Sequence, residues 1–291
     1  MDLPVELLSI PHRRDVAFSR LTTVGLGGVC KWLFEPANER DAQLFVKICR
    51  KSGLCYKLLG GGSNLLVLSD IEAPVMRLGM TRELHITAHG IYANACYRHM
   101  ALVRSVAQLG LSGIEWACGI PGSFGGAIRM NAGSYGGEWG DVLNRVRFIL
   151  PDGEVAEKKV EPGDFSYRSS FLVDGYVALG ASFNLAKGNA EKIKNEMQRY
   201  QTRRNSSQPR GRSAGCVFKN PAGKSAGQLI ESAGLKGLRI GNAQVSPVHG
   251  NFFVNLGGAT AGDYWELIQQ VRFRVSEMHN CDLELEVEVW H

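Results

Sequence analysis

Leu59-Gly60-Gly61-Gly62-Ser63-Asn64-Leu65 places three consecutive glycines between two short apolar runs, Tyr56–Leu59 and Leu65–Leu68, which read as strands. An ordinary turn rarely needs three glycines in a row. Successive backbone N–H groups with no side chains in the way form a concavity that binds anions. A second loop of this kind, Gly119-Ile120-Pro121-Gly122-Ser123-Phe124-Gly125-Gly126-Ala127, runs on into Met130-Asn131-Ala132-Gly133-Ser134-Tyr135-Gly136. Two such loops suit a ligand with two phosphates. The chain holds 35 glycines, where average usage would give roughly 20.

The usual dinucleotide signatures fail. Gly25-x-Gly27-x-x-Cys30 lacks the third glycine of the Rossmann fingerprint, and no strand directly precedes it. Gly223-Lys224-Ser225 looks like the end of a P-loop, but Phe218 stands where that motif needs its first glycine.

Around the loops, short strands and helices mix without strict alternation. Lys31–Glu35 reads as a strand. Asn38 is placed as the cap of a helix that ends before Gly53. Tyr97–Leu109 predicts a helix with Met100, Val103, Val106 and Ala107 inward and Gly110 as its stop. Arg145–Lys159 predicts a hairpin turning at Pro151-Asp152-Gly153, and Val177–Leu185 a strand. A polar helix is expected over 189–204, a linker over 205–213, and a strand at Cys216–Lys219. A helix capped by Ser225 follows, then a strand at Phe252–Asn255, a helix at Thr260–His279, and a strictly alternating strand over Asp282–Val289.

The chain has 291 residues, 44% hydrophobic and 21% charged, with a net charge of +5. This is the profile of an ordinary globular protein. Seven cysteines, an odd number with no Cys-x-x-Cys pair, argue against a disulfide framework or a structural zinc site and favour a reducing cytoplasm. No signal peptide is expected, and no run nears the roughly 18 apolar residues of a membrane span.

The strings LGGGSNLL (59–66), GIPGSFGGAIRMNAGSYG (119–136), YRSSF (167–171), GCVFKNP (215–221), SAGQLIESAGLKG (225–237) and LELEV (283–287) resemble segments of the UDP-N-acetylenolpyruvoylglucosamine reductase family, in the same order. The likeness runs from Thr22 to Val287. It implies an α+β fold: a two-part FAD-binding region of the vanillyl-alcohol-oxidase-like type and a C-terminal α+β substrate-binding domain. The expected divisions are 1–78, with the C-terminal strand packing back on it, then 79–204 and 205–291. The short stretch between Arg168 and Cys216 matches the shorter class of the family.

That resemblance implies a reaction. NADPH is the hydride donor, non-covalent FAD the cofactor, and UDP-N-acetylglucosamine enolpyruvate the substrate reduced to UDP-N-acetylmuramate. The setting would be cytoplasmic peptidoglycan precursor synthesis, and through it cell-wall biogenesis, cell shape, cell cycle and division. FAD contacts are expected at Gly60, Gly61, Gly62, Ser63 and Asn64. In the second loop they are expected at Gly119, Ile120, Pro121, Gly122, Ser123, Gly125, Gly126, Asn131, Ala132 and Gly133. No metal, nucleic acid, membrane or obligate protein partner is implied.

Three residues match family catalytic positions. Hydride addition builds charge on the substrate carboxylate, and Arg168 matches the arginine that stabilises it through a planar fork of donors. Cys216 stands where most members carry a serine acting as general acid. A thiol with an unperturbed pKa of about 8.5 stays mostly protonated near neutral pH and can donate. Glu286 matches the catalytic carboxylate. Strand alternation would put it on one face with Glu284 and Glu288, so a solvated acidic edge competes with that role. Glu288 replaces the arginine usual two residues on. Tyr135, Lys219 and Asn220 match positions near the UDP group, Arg203 and Arg204 suit its diphosphate, and His249 and Asn251 are further substrate candidates.

Two rivals remain at this stage. One is a flavin oxidase of the same superfamily; such oxidases often tether FAD through a histidine or cysteine, yet neither loop holds a histidine and Cys118 lies just outside the second. The other is a nucleic-acid-binding module, suggested by Arg199, Arg203, Arg204, Arg210 and Arg212 and by a Gly119-x-x-Gly122 clamp. That clamp is embedded in a much longer glycine loop.

Overall fold

Asn38 caps the first helix, Glu39–Lys51 (α1), by accepting the Asp41 N–H at 2.9 Å; this satisfies a donor that the helix itself leaves unpaired. The helix ends before Gly53, whose φ of +61° closes the turn. The computed structural model describes residues 3–87 and 89–291. They group into two compact units.

The first unit comprises the stretch ending at Arg14, Trp32–Gly61 and Ala73–Arg203. Here Leu33–Phe34, Val75–Met76 and Lys57–Leu58 run parallel, and Phe45 of α1 packs on Phe34 with ring centroids 5.2 Å apart. A second sheet is antiparallel throughout, in the order Val155–Lys159, Leu143–Ile149, Val177–Phe183, Gly90–Asn94, Leu84–Thr87. The hairpin turns at Pro151-Asp152-Gly153, where the Gly153 N–H bonds the Leu150 carbonyl at 2.8 Å.

Helix His99–Gln108 (α2) stops at Gly110, φ +69°. Its buried face is His99, Leu102, Val103 and Val106; Met100 and Ala107, expected inside, are half-buried. Leu102 completes the three-and-four spacing with Val103 and Val106 that the core selects. Helix Phe124–Arg129 (α3) roots Phe124 against Trp139 and Phe183, at 4.8 and 5.9 Å. The polar helix Ala190–Ser207 (α4) runs three residues into the expected linker. Nothing before Pro209 stops it; the proline then disfavours helical backbone at Gln208. The division between Arg203 and Arg204 therefore falls inside α4.

The second unit gathers Asp15–Lys31, Gly62–Glu72 and Arg204–His291. Its antiparallel sheet runs Arg212–Cys216, Phe252–Asn255, Ala243–Val245, Arg239–Ile240. Helices Ala226–Ser232 (α5) and Ala261–His279 (α6) accompany it, each with its serine or threonine cap, Ser225 and Thr260. One core holds Val24, Leu26 and Leu66 together with Phe218, Phe253 and Tyr264. That shared burial is why two short N-terminal stretches belong with the C-terminal residues.

Two strands differ from expectation. The strand predicted at Cys216–Lys219 lies at Arg212–Cys216, ending just past Gly215 at φ +82°. The long C-terminal strand reduces to Glu288–Trp290, paired parallel with Leu65–Val67. Just before it, the N–H groups of Glu286 and Val287 both approach the Val217 carbonyl, at 2.8 and 3.2 Å. Two residues opposing one is a bulge, and a bulge breaks alternation. Leu283 and Val287 are buried, Glu284 and Glu288 exposed, and Glu286 half-buried, so the three glutamates do not form one solvated edge. Among the described residues no helix is long and apolar enough to cross a membrane.

Candidate functional site

In the first unit the two glycine loops touch through bare backbone. A Cβ added to Gly61 would sit 2.5 Å from the Gly122 Cα and 2.8 Å from the Ser123 nitrogen; one added to Gly60 would meet the Ser123 Oγ at 3.0 Å. Gly119 and Gly122 take φ of +86° and +104°, which L side chains rarely adopt. Gly125 lies so close to Ala95 that its Cβ would be 2.7 Å from the alanine Cβ, and its N–H bonds the Ala95 carbonyl at 3.0 Å. Ser123 caps α3 by accepting the Gly126 N–H at 3.3 Å. The result is a surface bare of side chains, the close approach a dinucleotide diphosphate requires. The residues present fit FAD.

Downstream, the loop is held by unusual backbone. Among the described residues five that are not glycine have positive φ, and three of them, Asn131, Tyr135 and Arg168, stand in this region. Such conformers are strained and concentrate at functional sites. Asn131 is fully buried. Its amide donates to the Ser166 carbonyl at 2.9 Å and its oxygen accepts the Gly140 N–H at 2.8 Å, so its side chain braces the loop from within. Ala132 continues the loop with its N–H on the Ala127 carbonyl at 2.8 Å. Arg168 sits in the turn between Phe165–Ser166 and Ser169–Ser170. Its Nη2 donates to the Gly133 carbonyl at 3.2 Å and its guanidinium lies 4.8 Å from the Tyr167 ring. The strut from Asn131 to Ser166 thus ties the end of the glycine loop to the turn that carries Arg168.

Tyr135 stacks on Tyr200, centroids 5.0 Å apart at 23°, and Arg203 lies 4.9 Å above Tyr135. Tyr200 reads in the sequence only as an apolar residue of the polar helix, not as a site residue. Its spacing of three from Arg203 on one helix was the available signal.

In the second unit, Gly62 (φ +64°) is pinned against Leu21, and its carbonyl accepts the Thr23 N–H at 2.9 Å. Ser63 and Asn64 lead from it into Leu65–Val67. Cys216 ends the strand that pairs with Phe252. The next residue, Val217, takes the Glu286 N–H, so Cys216 and Glu286 stand on adjoining backbone segments. Lys219 reaches Glu284 at 3.5 Å. The Asn220 side chain accepts the Ala226 N–H at 3.0 Å, and Arg204 donates to Gln208 at 3.2 Å. Asn251 is buried and doubly bonded to the Phe218 main chain, at 2.9 and 2.7 Å. His249 accepts the Asn251 N–H at 3.2 Å, and burial holds its imidazole below the usual range. Among the described residues no cluster of His, Cys, Asp and Glu is arranged to hold a metal ion.

The chain matches the family model described as UDP-N-acetylenolpyruvoylglucosamine reductase, C-terminal domain, over residues 207–290, and an FAD binding domain over residues 31–158. It is 41% identical to the UDP-N-acetylenolpyruvoylglucosamine reductase of Anaplasma marginale, over 95% of this chain and 92% of that one. To the reductase of that name from Bacillus subtilis it is 37% identical, over 92% and 90%. Among solved structures it is similar to the UDP-N-acetylenolpyruvylglucosamine reductase of Thermus caldophilus, with TM-score 0.83 and 38% identity, covering 97% of this chain and 99% of that one.

Proposed function

The chain belongs to the UDP-N-acetylenolpyruvoylglucosamine reductase family, and from that premise we propose that it reduces UDP-N-acetylglucosamine enolpyruvate to UDP-N-acetylmuramate with FAD and NADPH. The observation that carries this reading is the contact of Gly60 and Gly61 with Gly122 and Ser123, two bare loops joined within an FAD binding domain. FAD, when bound, supplies the two-electron relay between NADPH and the enolpyruvyl double bond.

The chain's own residues do the rest. Gly60 to Asn64 and the Gly119–Gly133 loop hold the diphosphate with main-chain donors. Arg168, fixed by its turn, meets the charge that grows on the substrate carboxylate; a donor already in place is worth most at that moment. Cys216 gives a proton to the carbon beside the new C–H bond, and Glu286 bonds the developing enolate as an acid or orients a water or Arg168 as a carboxylate. Tyr135, Tyr200 and Arg203 offer a ring and a cation to the nucleotide, with Arg204, Lys219 and Asn220 as further contacts. His249 and Asn251, bonded to each other and to the Phe218 main chain, are further candidates for substrate contact. The work would be done in the cytoplasm, where UDP-sugar precursors of peptidoglycan are made, upstream of wall assembly, cell shape and division. The expected parts are the FAD-binding stretches 1–78 and 79–204 and the substrate-binding stretch 205–291.

Colour tests this. Purified protein should be yellow, bleach under anaerobic NADPH, and regain its absorbance when the enolpyruvyl UDP-sugar is added. A preparation that takes up no FAD rejects the reading, and recovery driven by oxygen alone favours a flavin oxidase.

A further inference from the structure

Beneath the second glycine loop lies a pair with no role in the chemistry above. His99 and Trp139 are both fully buried. The Trp139 Nε1–H donates to His99 Nε2 at 2.9 Å, with the rings 5.5 Å apart and nearly perpendicular at 89°. An indole N–H can only donate, so Nε2 is the bare nitrogen and the ring proton sits on Nδ1. Nδ1 lies 3.1 Å from the Ile120 carbonyl oxygen. The His99 main-chain N–H donates to the Gly122 carbonyl at 3.0 Å. One residue thus draws two carbonyls of the loop to itself.

The direction matters. In a trans peptide the C=O and the following N–H point opposite ways. With the Gly122 carbonyl turned to His99, the Ser123 N–H is turned away from it, to the side where Gly61 approaches; the Gly61 Cβ position is 2.8 Å from that nitrogen. The Ile120 carbonyl belongs to the Ile120–Pro121 bond, which has no N–H to offer. Were it to rotate outward, it would present a lone pair to an anion and no donor in exchange.

We infer that His99, held by Trp139 as its Nδ1–H tautomer, is a positioning residue for the diphosphate loop, keeping the Ile120 and Gly122 carbonyls turned in so that the loop turns the Ser123 N–H toward an anion. This rests on the FAD reading and extends it to a residue outside the loops.

The test is FAD affinity of the apoprotein, followed by flavin fluorescence, alongside the thermal midpoint of the apoprotein. His99→Phe keeps an aromatic ring and the main-chain N–H but loses Nδ1–H. It should weaken FAD binding about tenfold, the equivalent of about 1.4 kcal/mol, or roughly one hydrogen bond. His99→Asn places an amide N–H near the Nδ1 position and should recover most of that loss, although its smaller side chain lowers the apoprotein midpoint more. This opposite ordering of affinity and stability is what a purely structural role would not produce. Trp139→Phe, which releases the tautomer, should also weaken FAD, and it decides the matter if His99→Phe does not fold. Unchanged affinity in the phenylalanine variants, or no recovery with asparagine, overturns the role of His99 alone. A wild-type protein that binds no FAD overturns the cofactor reading with it.

Discussion

The side-chain amide of Asn64 donates to the main-chain carbonyl of Glu286 at 2.8 Å. The Asn64 carbonyl in turn accepts the Glu288 N–H at 3.1 Å. With its own N–H on Val217, Glu286 has both main-chain groups engaged, and its carboxyl hangs from a fixed segment. A residue of the first glycine run therefore also sets the backbone of the proposed catalytic carboxylate. Asn64→Ala removes one hydrogen bond and leaves a half-buried carbonyl without that donor. It should lower stability by about 1 kcal/mol in urea unfolding and reduce kcat at saturating substrate. Wild-type values of both would mean that the tether is idle.

Arg168 couples strain to function in one residue. Its φ of +57° is unfavourable for any side chain but not for glycine. Arg168→Gly should therefore leave the unfolding midpoint unchanged or raised, while kcat/KM falls by about two orders of magnitude, roughly 3 kcal/mol of lost transition-state stabilisation. Arg168→Ala should lose as much activity and some stability as well. An unchanged kcat/KM in either variant removes the guanidinium from the mechanism.

What could be read in the sequence follows from locality. The caps Asn38 and Ser225 and the Pro151-Asp152-Gly153 turn depend on residues within a few positions, and each forms as expected. What was missed is set from far along the chain. The bulge at Glu286 and Val287 needs Val217 opposite it, and no period within 282–289 reveals that. The shift of the strand to Arg212–Cys216 is imposed by pairing with Phe252–Asn255. The place of His99 is set by Trp139 and Ile120, both distant in sequence. The burial of Val24 and Leu66 with Tyr264 likewise has no local signature.

Gly61→Ala tests whether contact between the loops is required. The new methyl would stand 2.5 Å from the Gly122 Cα, and backbone on both sides leaves little to yield. The loops must part. The purified variant should carry far less flavin per protein, while its far-ultraviolet circular dichroism stays close to wild type because the touching segments are loops. A fully yellow Gly61→Ala protein would show that the abutment does not shape the cofactor site.

Cys216 tests the proton donor. Only the second half-reaction needs a proton, so Cys216→Ala should still be bleached by NADPH at the normal rate but turn over slowly. Cys216→Ser restores an O–H donor at the same place and should keep activity. Stopped-flow absorbance separates the halves. Normal steady-state turnover in the alanine variant would remove the thiol from the reaction.

His249 tests the buried electrostatics of the second unit through pH. Desolvation holds its imidazole below the usual value, with Lys236 acting in the same direction and Glu231 opposing. The folded state therefore binds this proton later than the unfolded chain does, whose histidine titrates near roughly 6.5. As pH falls below that value the unfolded state takes up the proton first, and stability drops until the folded pKa is passed. His249→Asn keeps an acceptor for the Asn251 N–H, which His249 now takes at 3.2 Å, but has nothing to protonate. Its thermal midpoint should fall less steeply than the wild-type midpoint between neutral pH and roughly pH 5, and the two curves should run parallel on the alkaline side. Parallel curves across the acid limb as well would mean that His249 gains its proton equally in both states.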